Sequence, residues 1–167
     1  MSEALKAAIA VIDAAVDDAK SGLPEDVFLL VSRLTPMINV DLLIQNPAGH
    51  TLLTWRDDGF YPRGWHIPGG IIRFKEYMEQ RIEKVAMAEL GATVAFDAEP
   101  ILTQQLMTPN RDVRGHFLSL LIRCRLTSEP DPTMAFDADA PQDGQWRWHD
   151  GCPDDLLAVQ AGYRGYF

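Results

Sequence analysis

The sequence predicts an α/β sandwich built as one domain, and three observations carry that expectation. Residues 65–91 join a tight Pro68-Gly69-Gly70 turn to a helix that ends at Gly91. Apolar segments with strand character, 39–45, 50–56 and 114–126, bracket that unit on both sides. Helical segments open and close the chain. A length of 167 residues suits one domain, and an apolar content of 47% is enough for a sizeable core.

Residues 2–20 place Leu5, Ala8, Ile9, Ile12, Ala15 and Val16 at helical spacing, and Ser21-Gly22 ends that helix. Pro24 stands at a natural first-turn position for a second short helix through Ser32. These helices form an extension over 1–35 that caps the core or makes a dimer contact; nothing in them carries chemistry. The core spans 37–150. Within it, 39–45 and 50–56 pair around an Asn46-Pro47-Ala48-Gly49 turn. Asp41 interrupts the first of these strands. A buried carboxylate needs a partner, so Asp41 is half of a structural ion pair or a substrate contact. Arg56, Asp57 and Asp58 open a polar loop through Arg63, either a pocket wall or a solvated connection.

Two consecutive glycines let the backbone approach a ligand and take φ > 0 without strain. No Gly or Pro falls between Lys75 and Leu90, and Gly91 stands where a C-cap is expected. Residues 93–107 are extended, but Pro100 breaks them or confines them to an edge. Residues 114–126 make a central strand, 128–141 an Asp- and Pro-rich loop, and 144–149 a short strand on which Trp146 and Trp148 share a face. A closing helix fills 153–163.

A net charge of −9 without a basic patch argues against a nucleic-acid surface. No apolar run approaches membrane-spanning length, and the N-terminus lacks the basic start and apolar core of a secretory signal, so a cytoplasmic protein without membrane association is expected. Cys124 and Cys152 have no metal or redox spacing, and Cys124 reads as a buried thiol.

The spacing after the turn resembles the Nudix box, G-x5-E-x7-R-E-U-x-E-E-x-G-U, with Gly70 opening it, Glu76 next, Lys84 in the Arg place, and Glu89 and Gly91 matching. Val85 and Ala88 replace two of the box glutamates. The frame of Trp65, Pro68-Gly69-Gly70, helix and Glu89-Leu90-Gly91 implies a Nudix-type α/β/α sandwich with a mixed central sheet. One helix face normally carries three glutamates and holds several Mg²⁺ ions; here it carries Val85, Ala88 and Glu89. One carboxylate supplies one ligand to one octahedral Mg²⁺.

Among Nudix families the chain is most similar, over 23–148, to the GDP-mannose mannosyl hydrolases. That family reads R-L-T-M-A-E-L-G where Lys84 to Gly91 stand, has an Asp and an Arg at the places of Asp41 and Arg56, and a strand like that holding His116-Phe117 and Arg123-Cys124-Arg125. The resemblance implies one Mg²⁺, with Mn²⁺ as a substitute, held by the Gly69 carbonyl, Glu89 and Gln142. It also implies a general base that drives water onto the sugar's anomeric carbon, a nucleoside diphosphate leaving group and a homodimer. Asp143 stands in place of the base His. Ile71 replaces an Arg after Gly-Gly, with Arg73 two residues on; Gly59 replaces another, with Arg63 nearby. Lys84 is implied to pair with Glu76 as a structural contact. Asp41, Arg56, Arg63, Arg73 and His116 are the expected substrate contacts.

Three functions stay compatible with these residues: a Mg²⁺-dependent hydrolase of a nucleoside diphosphate-sugar with Asp143 as base, a Nudix phosphohydrolase that cuts a pyrophosphate, and a non-catalytic nucleotide-sugar binding module. His116 also reads as an ordinary hydrogen-bonded strand-end histidine. His66 faces either the pocket or the opposite side of its strand, and His50 follows a turn and is exposed. Trp146 and Trp148 read as core or interface rather than a base-stacking platform, and Trp65 as a core anchor, with nucleobase stacking as the alternative.

Overall fold

The computed structural model describes residues 2–167. Helix α1, Glu3–Ala15, begins at Ser2, whose hydroxyl oxygen accepts the Leu5 N–H. It stops short of the expected end at residue 20. Val16 is already extended, and the Asp18 carboxylate accepts from the Lys20 N–H and the Ser21 hydroxyl, a local turn that competes with helical bonding. No residue of α1 is buried. Helix α2 covers Glu25–Ser32. Eight strands and one further α-helix follow: β1 Met37–Ile44, β2 Thr51–Arg56, β3 Gly64–His66, β4 Gly69–Ile71, α3 Met78–Leu90, β5 Val94–Phe96, β6 Leu102–Met107, β7 His116–Leu126 and β8 Trp146–His149.

Strand β7 is the spine of a five-stranded mixed sheet in which β1 runs parallel to it, from Met37 opposite Phe117 to Ile44 opposite Cys124. Its other edge is shared by β5 and β6, both antiparallel. The break between them falls at Pro100, where the missing N–H prevents a continuous ladder. Strand β4 pairs antiparallel with the outer edge of β1. A second, three-stranded antiparallel sheet has the order β3-β2-β8. The chain crosses between the sheets at Ile67-Pro68, and the Gln160 side chain fills the gap: its Oε1 accepts the Ile67 N–H at 2.8 Å.

Helix α3 lays Ile82, Val85, Ala86 and Leu90 on Val40, Leu42, Ile44 and Ile122 of the mixed sheet. The alternating residues, Leu43 of β1 and Leu121 of β7, face Leu53, Trp65 and Tyr163 in a second cluster. Trp146 and Trp148 both pack against the first cluster, as their shared face predicts. The closing helix expected over 153–163 is instead a 3-10 helix, Ala158–Tyr166. Its predecessor is committed to edge pairing: the Trp65 N–H donates to the Asp155 carbonyl, and the Leu157 N–H to the Trp65 carbonyl.

The Gly-Gly turn is also different from expectation. Gly69 and Gly70 lie in β4, opposite Asp41 and Val40, and neither has a positive φ. What they supply is closeness. A Cβ on Gly70 would sit 2.7 Å from Val85 Cγ2, and one on Gly69 would strike the Asp41 carboxylate and lie 2.8 Å from the Val40 carbonyl oxygen. Helix α3 starts at Met78 rather than near Lys75, because Lys75 is left-handed at φ 56°. It ends at Gly91, left-handed at φ 61°.

Glu76 ties this segment to α3. Its nearly buried carboxylate accepts from Lys84 Nζ at 2.8 Å, Arg81 Nε at 2.8 Å and the Arg73 N–H at 2.9 Å. Burial alone would raise its pKa, but the bonds from Lys84, the Arg73 backbone and Arg81 outweigh it and hold the carboxyl down at about 2. A depressed folded-state pKa adds stability that is present above the unfolded value near 4.5 and lost as pH falls toward 2. Glu76→Gln is therefore expected to cost about 2 kcal/mol at neutral pH, trimmed by screening at the exposed Lys84. Urea unfolding of both proteins from pH 7 to pH 2 checks this: the gap between them should close on acidification, and a pH-independent gap excludes the linkage.

Candidate active site

The last turn of α3 points Glu89 at the mouth between the two sheets. Its Oε1 accepts the Gly69 N–H at 3.2 Å and its Oε2 the Thr54 hydroxyl at 3.1 Å. Thr54 also lies 3.2 Å from His66 Nε2, across the β2–β3 pair, and His66 Nε2 is 3.9 Å from Glu89 Oε2. Arg56 Nη2 approaches the same His66 Nε2 at 3.2 Å. A guanidinium only donates, so Nε2 is the acceptor and the ring proton sits on Nδ1. Burial and the Arg56 charge push the His66 pKa down to about 3, leaving the imidazole neutral. Burial pushes the Glu89 carboxyl up to about 7 against the opposing pull of the Gly69 N–H, the Thr54 hydroxyl and the Arg56 charge. The Glu89 side chain remains 23% exposed, beside His66 and Gly69 of the cleft wall rather than on the wall itself.

Asp41 is buried in the middle of β1, and its partners are neutral rather than an ion pair. It accepts from the Ser119 hydroxyl, the Tyr163 hydroxyl at 2.7 Å and Asn39 Nδ2 at 2.8 Å. Burial lifts its pKa to about 6, with those three bonds pulling the other way. Asp41, Arg56, His66 and Gly69 line one cleft of about 190 Å³, together with Asn39, Tyr61 and Arg114.

Other expected site residues lie elsewhere. Asp143 is exposed on the loop before β8, where its Oδ1 accepts the Asp57 N–H at 2.7 Å, and Gln142 beside it is exposed too. Arg63 pairs on the surface with Asp57 at 2.9 Å. His116 Nε2 meets Gln105 at 2.8 Å on the β6–β7 edge. Strand β4 stops at Ile71, so the alternation that would have carried Arg73 into the cleft is lost; its guanidinium sits against Gly22, 3.5 Å from where a Cβ would be. None of these five lines the cleft. Thr54, Asn39, Tyr61 and Arg114 were not singled out from the sequence. Arg114 carried one readable signal, an arginine at the start of an apolar strand.

A divalent cation is implied by the Nudix-box resemblance, and the donor set can be tested for fit. Among the described residues, no three His, Cys, Asp or Glu side chains converge as a metal cluster. Glu89 offers a carboxylate whose affinity for positive charge is raised by burial, while His66 beside it is neutral. That fits one hard cation whose other ligands are mostly water and substrate oxygens, and it does not fit a multi-metal clamp.

Comparison with solved structures shows that the chain has the Nudix fold. A MutT Nudix hydrolase from Burkholderia pseudomallei superposes with a TM-score of 0.60 at 18% identity, covering 79% of this chain and 98% of that one. A possible asymmetric diadenosine tetraphosphate hydrolase from Jonesia denitrificans gives 0.59 at 17% identity, over 76% and 89% of the two chains. A UDP-X diphosphatase gives 0.56 at 16% identity and covers 98% of this chain and 75% of its own. No protein-family model matches the sequence. By sequence the chain is 26% identical over 117 residues to the low-salt glycan biosynthesis protein Agl8 of Haloferax volcanii, spanning 68% of this chain and 74% of that protein.

Proposed function

We propose that this protein is a Mg²⁺-dependent Nudix hydrolase of a nucleoside diphosphate-sugar, in which water attacks the sugar's anomeric carbon and the nucleoside diphosphate leaves. The observation that carries the reading is the single carboxylate, Glu89, at the α3 face where Val85 is buried and Ala88 has no ligand atom. A pyrophosphate-cutting clamp needs several carboxylates around its metals; neutralising a diphosphate leaving group needs one cation and basic side chains. Glu89 and the Gly69 carbonyl would hold that cation, which would supply charge neutralisation of the leaving diphosphate. Arg56 binds and orients phosphate oxygens, and Asn39 and Asp41 offer the polar wall suited to sugar hydroxyls. Asp143 is the proposed base; it stands exposed outside the cleft with one oxygen engaged by the Asp57 N–H, so the role requires the loop before β8 to bring it to the bound sugar. The glycan-biosynthesis name of the relative from Haloferax volcanii supports a sugar-containing substrate. A cytoplasmic homodimer belongs to the same proposal, and α1, none of whose residues is buried, offers a surface for it.

A second reading, cleavage at phosphorus, is favoured by the likeness to a UDP-X diphosphatase. Hydrolysis in ¹⁸O-water separates the two. Label in the released sugar, with Mg²⁺ dependence and a loss of roughly 10²–10⁴-fold in Asp143→Ala, is the expected result. Label in phosphate moves the assignment to a phosphohydrolase, and no turnover of any nucleotide-sugar leaves a binding module.

A further inference from the structure

We propose that Arg111 and Arg114, on the loop between β6 and β7, form a phosphate-binding subsite between the cleft lined by Asp41 and Arg56 and a second, apolar chamber. The nucleoside of the substrate then occupies that chamber, and its diphosphate crosses the two arginines. This placement rests on the nucleotide-sugar reading above.

The second chamber, about 460 Å³, is walled by Phe60, Tyr61, Pro62, Met107, Pro109 and Val159. It shares Tyr61, Leu157 and Val159 with the first cleft, so the two lie side by side. Arg114 lines the first and Arg111 the second. The Arg111 guanidinium stacks 4.3 Å from the Tyr61 ring centre, and that of Arg114 lies 4.2 Å from the Phe60 ring centre. Aromatic stacking leaves the edges of a guanidinium fork available for an oxyanion.

Charge at this junction is unbalanced. Asp58 is held by Arg56 at 3.2 Å and is 4.0 Å from Arg114, so one carboxylate serves two guanidinium groups. Among the described residues no carboxylate pairs with Arg111, and Arg111 Nη1 and Arg114 Nε are buried with no acceptor. Asp155 lines the second chamber and Asp41 the first cleft, but among the described residues neither pairs with Arg56, Arg111 or Arg114, which leaves a local anion site in a chain of net charge −9. The loop is also held in a demanding shape. Arg114 is left-handed at φ 52°, and its N–H is fixed by Ser32 Oγ at 3.0 Å; the Thr108 N–H closes the loop on the Gly115 carbonyl at 2.7 Å. A non-glycine residue persists in that region only when its surroundings over-determine it, a pattern concentrated at ligand-gripping sites. A chamber of flat apolar walls beside paired guanidinium groups suits a heteroaromatic base followed by phosphates.

The test is calorimetric titration of the whole protein in chelator, so that protein cations alone hold the phosphates, with inorganic pyrophosphate, GDP and UDP as probes. Wild type should bind pyrophosphate, and at least one nucleoside diphosphate more tightly. Arg111→Gln and Arg114→Gln should each weaken all the probes that bind by roughly tenfold. Ala158→Phe, at a residue that lines the second chamber and not the first cleft, narrows the chamber and should weaken the nucleoside diphosphate while leaving pyrophosphate unchanged. Should Arg114→Gln fail to fold, Arg111→Gln decides by itself. Wild-type affinity for pyrophosphate in Arg111→Gln, no pyrophosphate binding by wild type, or no response of nucleoside diphosphate binding to Ala158→Phe would overturn the proposal. Arginine-dependent binding without any turnover in Mg²⁺ removes the hydrolase reading and leaves the subsite standing; turnover with binding indifferent to Arg111→Gln does the reverse.

Discussion

Glu89→Gln is expected to lower turnover of a nucleotide-sugar roughly 10³-fold while leaving the fold intact. The amide is nearly isosteric, and its oxygen can still accept the Gly69 N–H that Glu89 Oε1 now takes at 3.2 Å. It removes a charge that burial already disfavours, so the thermal midpoint should stay level or rise. What it deletes is the negative charge proposed to hold the cation. Rate and Mg²⁺ dependence measured beside a thermal melt separate these effects. A variant that keeps a tenth of the wild-type rate would mean that the cation, if needed, is held elsewhere.

Gly69→Ala is expected to destabilise the protein by about 3 kcal/mol, the upper range for overpacking a filled site. The added Cβ meets the Asp41 carboxylate and lies 2.8 Å from the Val40 carbonyl oxygen. Neither retreats easily: Val40 is backbone in β1, between β4 and β7, and Asp41 is fixed by Ser119, Tyr163 and Asn39. Gly70→Ala meets only side chains, Val85 Cγ2 and Arg81 Cδ, and should cost less. Urea unfolding of both variants gives the comparison, and equal losses would contradict the role assigned to the Asp41 contact.

The parts of the site that could be read from the sequence are those whose partners are near in sequence or whose periodicity is strong. Gly70, Glu76, Lys84, Glu89 and Gly91 fall on one strand-to-helix unit, where spacing fixes direction. Asp41 and Arg56 stood out as charges in apolar strands. What escaped was set by pairing between distant segments. Tyr163 reaches Asp41 across 122 residues, and Thr54 reaches Glu89 across 35. Nothing local in a Tyr near the C-terminus or a Thr in an apolar strand marks either contact. Loops are harder to read for the converse reason: Arg63 and Asp143 stand near motif positions but outside the cleft, because nearness in sequence leaves the direction of a loop open. Of the two demands the glycine pair could meet, the structure uses close approach, to Asp41, Val40 and Val85, and not positive φ; both demands select the same residue, so sequence alone does not separate them.

The parallel pairing of β1 with β7 also bears on how the chain acquires its structure. Asp41 and Ser119, bonded across it, are 78 residues apart. Contacts of that sequence separation carry a large loop-closure entropy before they return any energy, which slows folding. During synthesis, β1 and β4 emerge long before β7 exists, leaving an inner edge of β1 with unpaired N–H and C=O groups. Such an edge is a template for another chain. The strand that completes the cleft is thus also the one whose late arrival ends the period of greatest exposure to aggregation.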